Sequence, residues 1–433
     1  MSYWHVFTWL TLGVQLTGYY IWYRLLWQDR SLFFRHSLRL LRNENILFTK
    51  IFQGLSDNAR LDISPEFRAE LCRYKANVSY TEDEIDYDLI DTVERDYNVQ
   101  VDRRVVNSGM IALIFHCTKP LEEGQAEPEI ENNAILKLKR RDITDRLREG
   151  CESVAFMYSI AAFICPRNIY IRILRPFITN LEDIIEQCDF DHEIQNTRQA
   201  KEDFAELQNI HIPAVYNRPE SVNNDFILME RILGSHTVPT DTSEEDRIRY
   251  FQHFTTFGAY AILSNGIQHT DLHAGNMLFK PDGGIGIIDF GMAVRFSDEA
   301  HDVILSVSDI IRGETHIDDV DPCETLRHLF NPVLELETIT DLPRFRAICR
   351  QIMMPLLERV EIDELSITDS LEELSRSLNR DIVLNQEFYK VVLTITMMHG
   401  EALMLGNNYH NQVRVRQIYR NSVQAAYLMI QCS

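Results

Sequence analysis

Between His269 and Ala293 the chain gathers two histidines, three aspartates, an asparagine and a glycine-rich turn into one short stretch. The order is His269-Thr-Asp271-Leu-His273-Ala-Gly275-Asn276, then Met277-Leu278-Phe279. Pro281-Asp-Gly-Gly follows, then Ile285-Gly-Ile-Ile288 and Asp289-Phe-Gly291. Two short apolar runs around a glycine-rich turn predict a β-hairpin. That geometry sets Asp271, Asn276 and Asp289 at one end of the hairpin. Three oxygen-bearing side chains at one site suit Mg²⁺, which prefers oxygen ligands and shares them with substrate phosphates.

The rest of the chain must build a frame around this cluster. With 433 residues it exceeds one ordinary core, so two lobes are expected. A hydrophobic fraction of 45% and a charged fraction of 25% are those of a globular protein. The formal net charge of −22 argues against nucleic acid as a partner, because phosphates demand a basic face. The eight cysteines show no CxxC spacing, which speaks against a zinc site and a disulfide framework and makes reduced thiols the default.

From Tyr3 to Tyr23 the sequence holds no formal charge beyond a partial one on His5, and it is rich in Trp and Tyr. As a helix it would span roughly 30 Å, about the hydrocarbon thickness of a bilayer. Arg24, Arg30, Arg35, Arg39 and Arg42 follow. The expectation is a single-pass membrane anchor within residues 1–28, with the downstream side in the cytosol and the organelle unspecified. Gln15, three threonines and two glycines dilute this segment, so an amphipathic or core helix is the competing reading. Residues 29–98 read as a helical extension, with an acidic run at 79–98 that suits a solvated helix face. Residues 99–234 read as a small mixed lobe with inserted helices, and 235–433 as a larger helical lobe. The fold class is therefore α+β and bilobal. In the C-terminal lobe, "VVLTITMMHGEALML" carries methionines at helical spacing, which are ordinarily core filler and could also line an apolar groove.

Phosphoryl transfer asks for a carboxylate that orients the acceptor, metal ligands that bridge phosphates, and a lysine on those phosphates. Asp271 fits the first role, Asn276 and Asp289 the second. An upstream strand, "AILKLK", offers Lys137, with Lys139 on the same face two residues later. A helical glutamate should hold that lysine. In "CDFDHEIQN", Asp189, Glu193 and Asn196 share one helix face, and Glu193 is the expected partner. His269 is expected to be structural, and His273 has no assigned role.

Together these stretches resemble the UbiB/AarF atypical kinase-like family, associated with coenzyme Q biosynthesis and with mitochondrial or plastid lipid metabolism. "LFTKIFQGLSDNARLDISPEFRAEL" is similar to the family's signature extension, with Lys50 and Gln53 on the lysine and glutamine of its Lys-x-Gly-Gln motif. "CDFDHEIQN" is similar to its acidic helix, "MERILG" (229–234) to its hinge, and "HTDLHAGN" with "DFG" to its catalytic and metal loops. The likeness runs from about residue 32 to about residue 300 and is looser beyond. It implies a bilobal protein-kinase-like fold binding ATP and Mg²⁺. The adenine would lie on the hinge at Met229 and Glu230, and Lys137, held by Glu193, on the phosphates. Gly109 would let the backbone approach those phosphates, because it lacks a side chain. The implied activity is an ATP-dependent phosphotransferase or ATPase, with a membrane lipid or isoprenoid-like molecule as a further partner.

Three departures matter. Phe52 replaces the glycine of the Lys-x-Gly-Gln motif. The alanine-rich nucleotide loop is "VVNSGMIALIF", with Ala112 and a single Gly109. Gln187 replaces the glutamate of the Glu-x-Asp motif, leaving Gln187-Cys-Asp189. Without that carboxylate, Lys50 should be held less firmly, and the extension is expected to be present as a lid that is regulated differently. Two rival readings stay open. One is a small-molecule kinase of the aminoglycoside or choline type, which the extension disfavours. The other is a nucleotide-binding pseudokinase scaffold, which the retained metal and lysine positions disfavour and the altered nucleotide loop keeps open.

Overall fold

A computed structural model describes residues 3–57, 64–72, 78–118, 134–165, 178, 181–218, 225–239, 242–272, 274–312, 314–316, 319–327, 330–331, 335–339, 341–358, 383–384, 390 and 412–432. The chain is α+β and divides into two compact units. The first holds residues 1–194 and 215–231, the second 195–214 and 232–433. The methionine-rich stretch at 391–405 and His273 lie outside the described residues.

In the first unit, four helices open the chain: α1 (Tyr3–Tyr19), α2 (Arg30–Glu44), α3 (Phe48–Asp57) and α4 (Pro65–Cys72). Asp29 caps α2, its carboxylate accepting from Leu32 N at 2.9 Å. Phe52 is 3% exposed and fills a small core with Leu38 and Leu71. The aromatic ring at the motif's glycine position is thus a packing element that holds α2, α3 and α4 together.

The membrane-anchor expectation is not supported. Among the described residues no helix is long and apolar enough to cross a membrane. Helix α1 ends at Tyr19 after 17 residues, about 25 Å of rise. It gives way to a π-helical turn (Tyr20–Leu26) that already contains Arg24. The helix is docked on its own unit: Leu12 is buried, and Trp9 Nε1 donates to Ser153 Oγ at 2.9 Å. Tryptophan and apolar residues serve a docked helix as readily as a spanning one, so composition alone does not decide between them.

Helix α5 (Tyr87–Tyr97) follows, and it buries Leu89, Ile90, Val93 and Tyr97, one stripe at helical spacing. Then come β1 (Gln100–Ser108), β2 (Ala112–Thr118), β3 (Ala134–Lys139), α6 (Ile143–Ile164), α7 (Leu181–Glu186) and α8 (Phe190–Asp203). Strands β4 (Ile210–His211) and β5 (Phe226–Glu230) complete this part of the chain. Strands β1, β2, β3 and β5 form one antiparallel sheet in that order. One face packs Leu113, Phe115, Leu136, Leu138 and Leu228 against Ile90 and Val93 of α5. The other carries Ala112, Ile227 and Met229 against Phe190 and Ile194 of α8. The period of two along β3 therefore presents Ile135 and Lys137 to α8.

The second unit begins within α8 and contains β4. It adds α9 (Glu244–Leu263), β6 (Gln268–His269), β7 (Met277–Phe279), β8 (Ile285–Ile287) and β9 (Ala293–Val294). Strands β7 and β8 form the expected antiparallel hairpin, with Met277 opposite Ile287 and Phe279 opposite Ile285. Gly283, at φ +88°, makes the turn, a left-handed conformation that favours glycine. Strand β4 joins β8 in parallel, and β6 pairs with β9. Phe251, Phe254 and Phe257 of α9 fill the core behind the hairpin with Met277, Ile285 and Ile287. A C-terminal helix (Gln412–Cys432) packs there through Ala426, and Ser422 hydrogen-bonds Thr255 at 2.7 Å.

Candidate functional site

In the first unit Lys137 Nζ lies 2.6 Å from Glu193 Oε1. The carboxylate side chain is 1% exposed and the lysine side chain 12%. Strand register puts Lys137 on the face toward α8, and Glu193 stands on the first turn of that helix. Lys139, on the same strand face, takes a different partner: its Nζ lies 2.5 Å from Asp225 Oδ1. The buried ion pair thus belongs to Lys137 and an outer one to Lys139. Phe190, which the sequence reading passed over, separates the two. Its ring is buried, with Lys137 Nζ 5.5 Å and Lys139 Nζ 5.2 Å from its centroid. Both ammonium groups gain from the ring's quadrupole. A phenylalanine inside an acidic run was the one signal for it.

Asp189 is not on the helix face with Glu193. It precedes α8 and caps it, its carboxylate accepting from Asp191 N at 3.0 Å and His192 N at 3.3 Å. A carboxylate just before a first turn satisfies N–H groups that have no partner within the helix. Gln187 Nε2 is buried with no hydrogen-bond partner among the described residues. Lys50 stands half-buried on α3, and Gln53 lies on the same helix with its side chain outside the described residues.

Gly109 sits in the turn between β1 and β2, where its N donates to Ala112 O at 2.9 Å. A Cβ built there would meet only Ala112 O, at 3.5 Å, and its φ is not in the left-handed range. The fold itself does not demand glycine at this position. Met229 and Glu230 end β5. The Met229 side chain is core, packed with Phe190 and Ile227, and Glu230 is half-buried.

In the second unit the polar cluster folds on itself. His269 is 2% exposed; its Nε2 lies 3.1 Å from Ile288 O, and its ring centroid 5.2 Å from that of Phe290. Asp271 N donates to His269 Nδ1 at 3.3 Å, so the ring carries its proton on Nε2 and donates to Ile288 O. The histidine is a strut between the Asp271 loop and the strand leading to Asp289. Thr270 adds a second tie, its N donating to Met292 O at 2.9 Å.

Asn276 Nδ2 donates to Asp271 O at 2.9 Å, and Ile288 N donates to Asn276 O at 3.0 Å. The first bond fixes the amide with Oδ1 as its remaining oxygen donor. Asp289 adopts φ +65°, a left-handed conformation uncommon outside glycine. Asn196, which is buried on α8, donates Nδ2 to Phe290 O at 3.1 Å and braces this turn. The sequence placed Asn196 on the right helix but gave no hint of that target. Oxygen donors from one asparagine and one aspartate fit Mg²⁺ shared with phosphate oxygens. Among the described residues, no three of His, Cys, Asp or Glu gather into an all-protein cage.

The profile of the ABC1 atypical kinase-like domain matches residues 125–313, which carry Lys137, Glu193, Asp271, Asn276 and Asp289. The chain is 29% identical over 131 residues to the serine/threonine-protein kinase PLK4 of Xenopus tropicalis, covering 28% of this chain and 14% of that protein. It is 23% identical over 146 residues to the Arabidopsis thaliana protein ACTIVITY OF BC1 COMPLEX KINASE 3, chloroplastic. That match covers 32% of this chain and 20% of the relative. A solved Mycobacterium tuberculosis structure, the Rv3197–erythromycin complex, aligns with TM-score 0.41 at 16% identity. It covers 72% of this chain and 77% of that one. The likeness to the ABC1 atypical kinase-like domain is thus carried by residues 125–313, less than half of the chain, and the chain spans less than a quarter of the length of these two curated relatives.

Proposed function

We propose that this chain binds Mg-ATP and acts as an atypical phosphotransferase or ATPase. The observation that carries the reading is the buried Lys137–Glu193 pair, 2.6 Å long on a kinase-type strand and helix. A buried ion pair is weak as a stabiliser, because desolvating both charges offsets most of their attraction. Its persistence is better explained by a lysine held ready for an anionic ligand. Lys137 would contact the nucleotide phosphates, with Glu193 fixing its direction. Asn276 and Asp289 would hold Mg²⁺, which when bound neutralises charge on the phosphate oxygens. Asp271 would orient the acceptor hydroxyl, or a water if hydrolysis is the reaction.

The family likeness makes a lipid or isoprenoid-like alcohol or phenol the acceptor class to try first. The deciding experiment is equilibrium Mg-ATP binding by the full chain and by Asp289→Asn and Lys137→Met. Both variants should bind at least tenfold more weakly, since each loses a charge-assisted contact of about 1.5–3 kcal/mol. Wild-type affinity in both would end the assignment. The pseudokinase reading predicts binding with no phosphate release or transfer, and a phosphate assay with and without a phenolic acceptor separates it.

A further inference from the structure

Arg140 follows directly on the strand that carries Lys137, and its side chain is wholly buried. Its two terminal nitrogens are surrounded by acceptors, while its buried Nε has no hydrogen-bond partner among the described residues. Nη1 donates to Glu84 Oε2 at 2.7 Å and Ser79 O at 3.3 Å. Nη2 donates to Ser108 Oγ at 2.7 Å, Val78 O at 3.1 Å and Gly109 O at 2.5 Å. Its backbone N donates to Ile111 O at 2.9 Å. One residue thus grips both ends of the turn between β1 and β2, and on its other side grips segment 78–84 of the helical extension.

Other contacts follow the same path. Val78 N donates to Ser108 O at 2.8 Å, and Ser108 Oγ donates back to Val78 O. Arg42 of α2 donates to the same Ser79 carbonyl at 2.5 Å. Met110, at the tip of the turn, is buried in one cluster with Ile46 and Leu47 from the junction of α2 and α3. Leu47 is 0% exposed. The extension and the turn therefore share a core and a buried cation.

We propose that Arg140 is a positioning residue that fixes the Gly109–Ile111 turn to the helical extension, so that docking of the extension sets the turn's backbone for nucleotide phosphates. The nucleotide part rests on the function proposed above. Only an arginine meets the geometry. Its planar fork reaches a carboxylate on one side and a carbonyl and hydroxyl on the other, whereas an ammonium is a point donor on a flexible stem. A salt bridge to Glu84 alone would not explain why the second nitrogen is spent on Gly109 O. The proposal also assigns the extension a positive role: without it the turn loses both Met110's packing and half of the clamp.

The test uses the full chain with Arg140→Lys, Arg140→Met and a control, Val93→Ala, which opens a hole in the separate core under α5. Hydrogen–deuterium exchange is followed for residues 78–84 and 108–112, and ATP affinity is measured on the same samples. The expected result is faster exchange in both segments in Arg140→Lys, with ATP affinity about tenfold weaker, the scale of one lost charge-assisted hydrogen bond. Val93→Ala should leave ATP affinity at the wild-type value. Arg140→Lys with wild-type exchange at 108–112 overturns the clamp, and so does a Val93→Ala control that loses as much affinity as Arg140→Lys. If wild type binds no ATP, the proposed function falls and the exchange result alone decides the clamp. Should Arg140→Met fail to fold, Arg140→Lys and Glu84→Gln carry the same comparison.

Discussion

Lys137 and Glu193 meet at 2.6 Å inside the first unit, with the carboxylate almost wholly out of contact with water. Truncating one partner strands a charge, while removing both replaces an ion pair by apolar packing. Lys137→Met should therefore destabilise the first unit by about 3 kcal/mol, and Lys137→Met with Glu193→Met should recover most of that loss. Urea unfolding followed by tryptophan fluorescence reads both. A double variant as unstable as the single one would mean the pair is a net stabiliser and would weaken the case that it is kept for a ligand.

Asn196 and Phe290 make the second relationship. The asparagine donates to the carbonyl beside an aspartate held at φ +65°. Asn196→Asp keeps the shape and loses the donor. It should raise the Mg²⁺ concentration needed for half-maximal nucleotide binding severalfold and leave nucleotide binding without metal unchanged. An equal loss with and without metal would show that Asn196 supports the fold generally and not the Asp289 turn.

Much of this arrangement could be read from the chain, for identifiable reasons. The hairpin at 277–287 was legible because Pro-Asp-Gly-Gly between apolar runs has few alternatives, and Gly283 indeed takes the left-handed turn. The contact between Lys137 and Glu193 was legible because strand period and helix period each leave few candidates. Arg140 was not, since its partners are mainly carbonyls and a carbonyl leaves no mark in a sequence. The Asp189 reading went astray because a residue before a helix and a residue on its face share the same spacing. The anchor expectation for the N-terminal helix is unsupported, and the sequence could not decide it, because a stripe that docks on Ser153 and a stripe that meets lipid use the same residue types.

Gly109→Ala separates fold from ligand. The structure has room for the methyl group, so stability should change by less than about 1 kcal/mol. If the turn's backbone approaches phosphate, the same methyl group should weaken ATP binding markedly. Gly286→Ala is the opposite case. Its Cβ would sit 2.8 Å from Ile232 Cγ2, and it should cost about 1–3 kcal/mol through overpacking. Thermal melts of the two variants, side by side, check the contrast; a stable Gly286→Ala would contradict the packing around the hairpin.

Alkaline pH tests the core of the first unit. Burial pushes the Cys117 thiol up to about 12 and the Cys151 thiol up to about 11, against 9.0 for the ordinary group. Above pH 9 the unfolded chain releases these protons while the folded chain keeps them. The unfolded state then binds fewer protons, so stability falls as pH rises. Their contribution is complete below pH 9 and is lost progressively toward 11 and 12, at up to about 1.4 kcal/mol per pH unit for each thiol. Urea midpoints at pH 8, 9 and 10 should fall slightly over the first interval and about threefold more steeply over the second. Cys117→Val removes one of the two protons and should shallow the fall between pH 9 and 10. An unchanged slope in that variant would show that the alkaline loss arises elsewhere, and that Cys117 is less shielded than its packing between β1 and β3 implies.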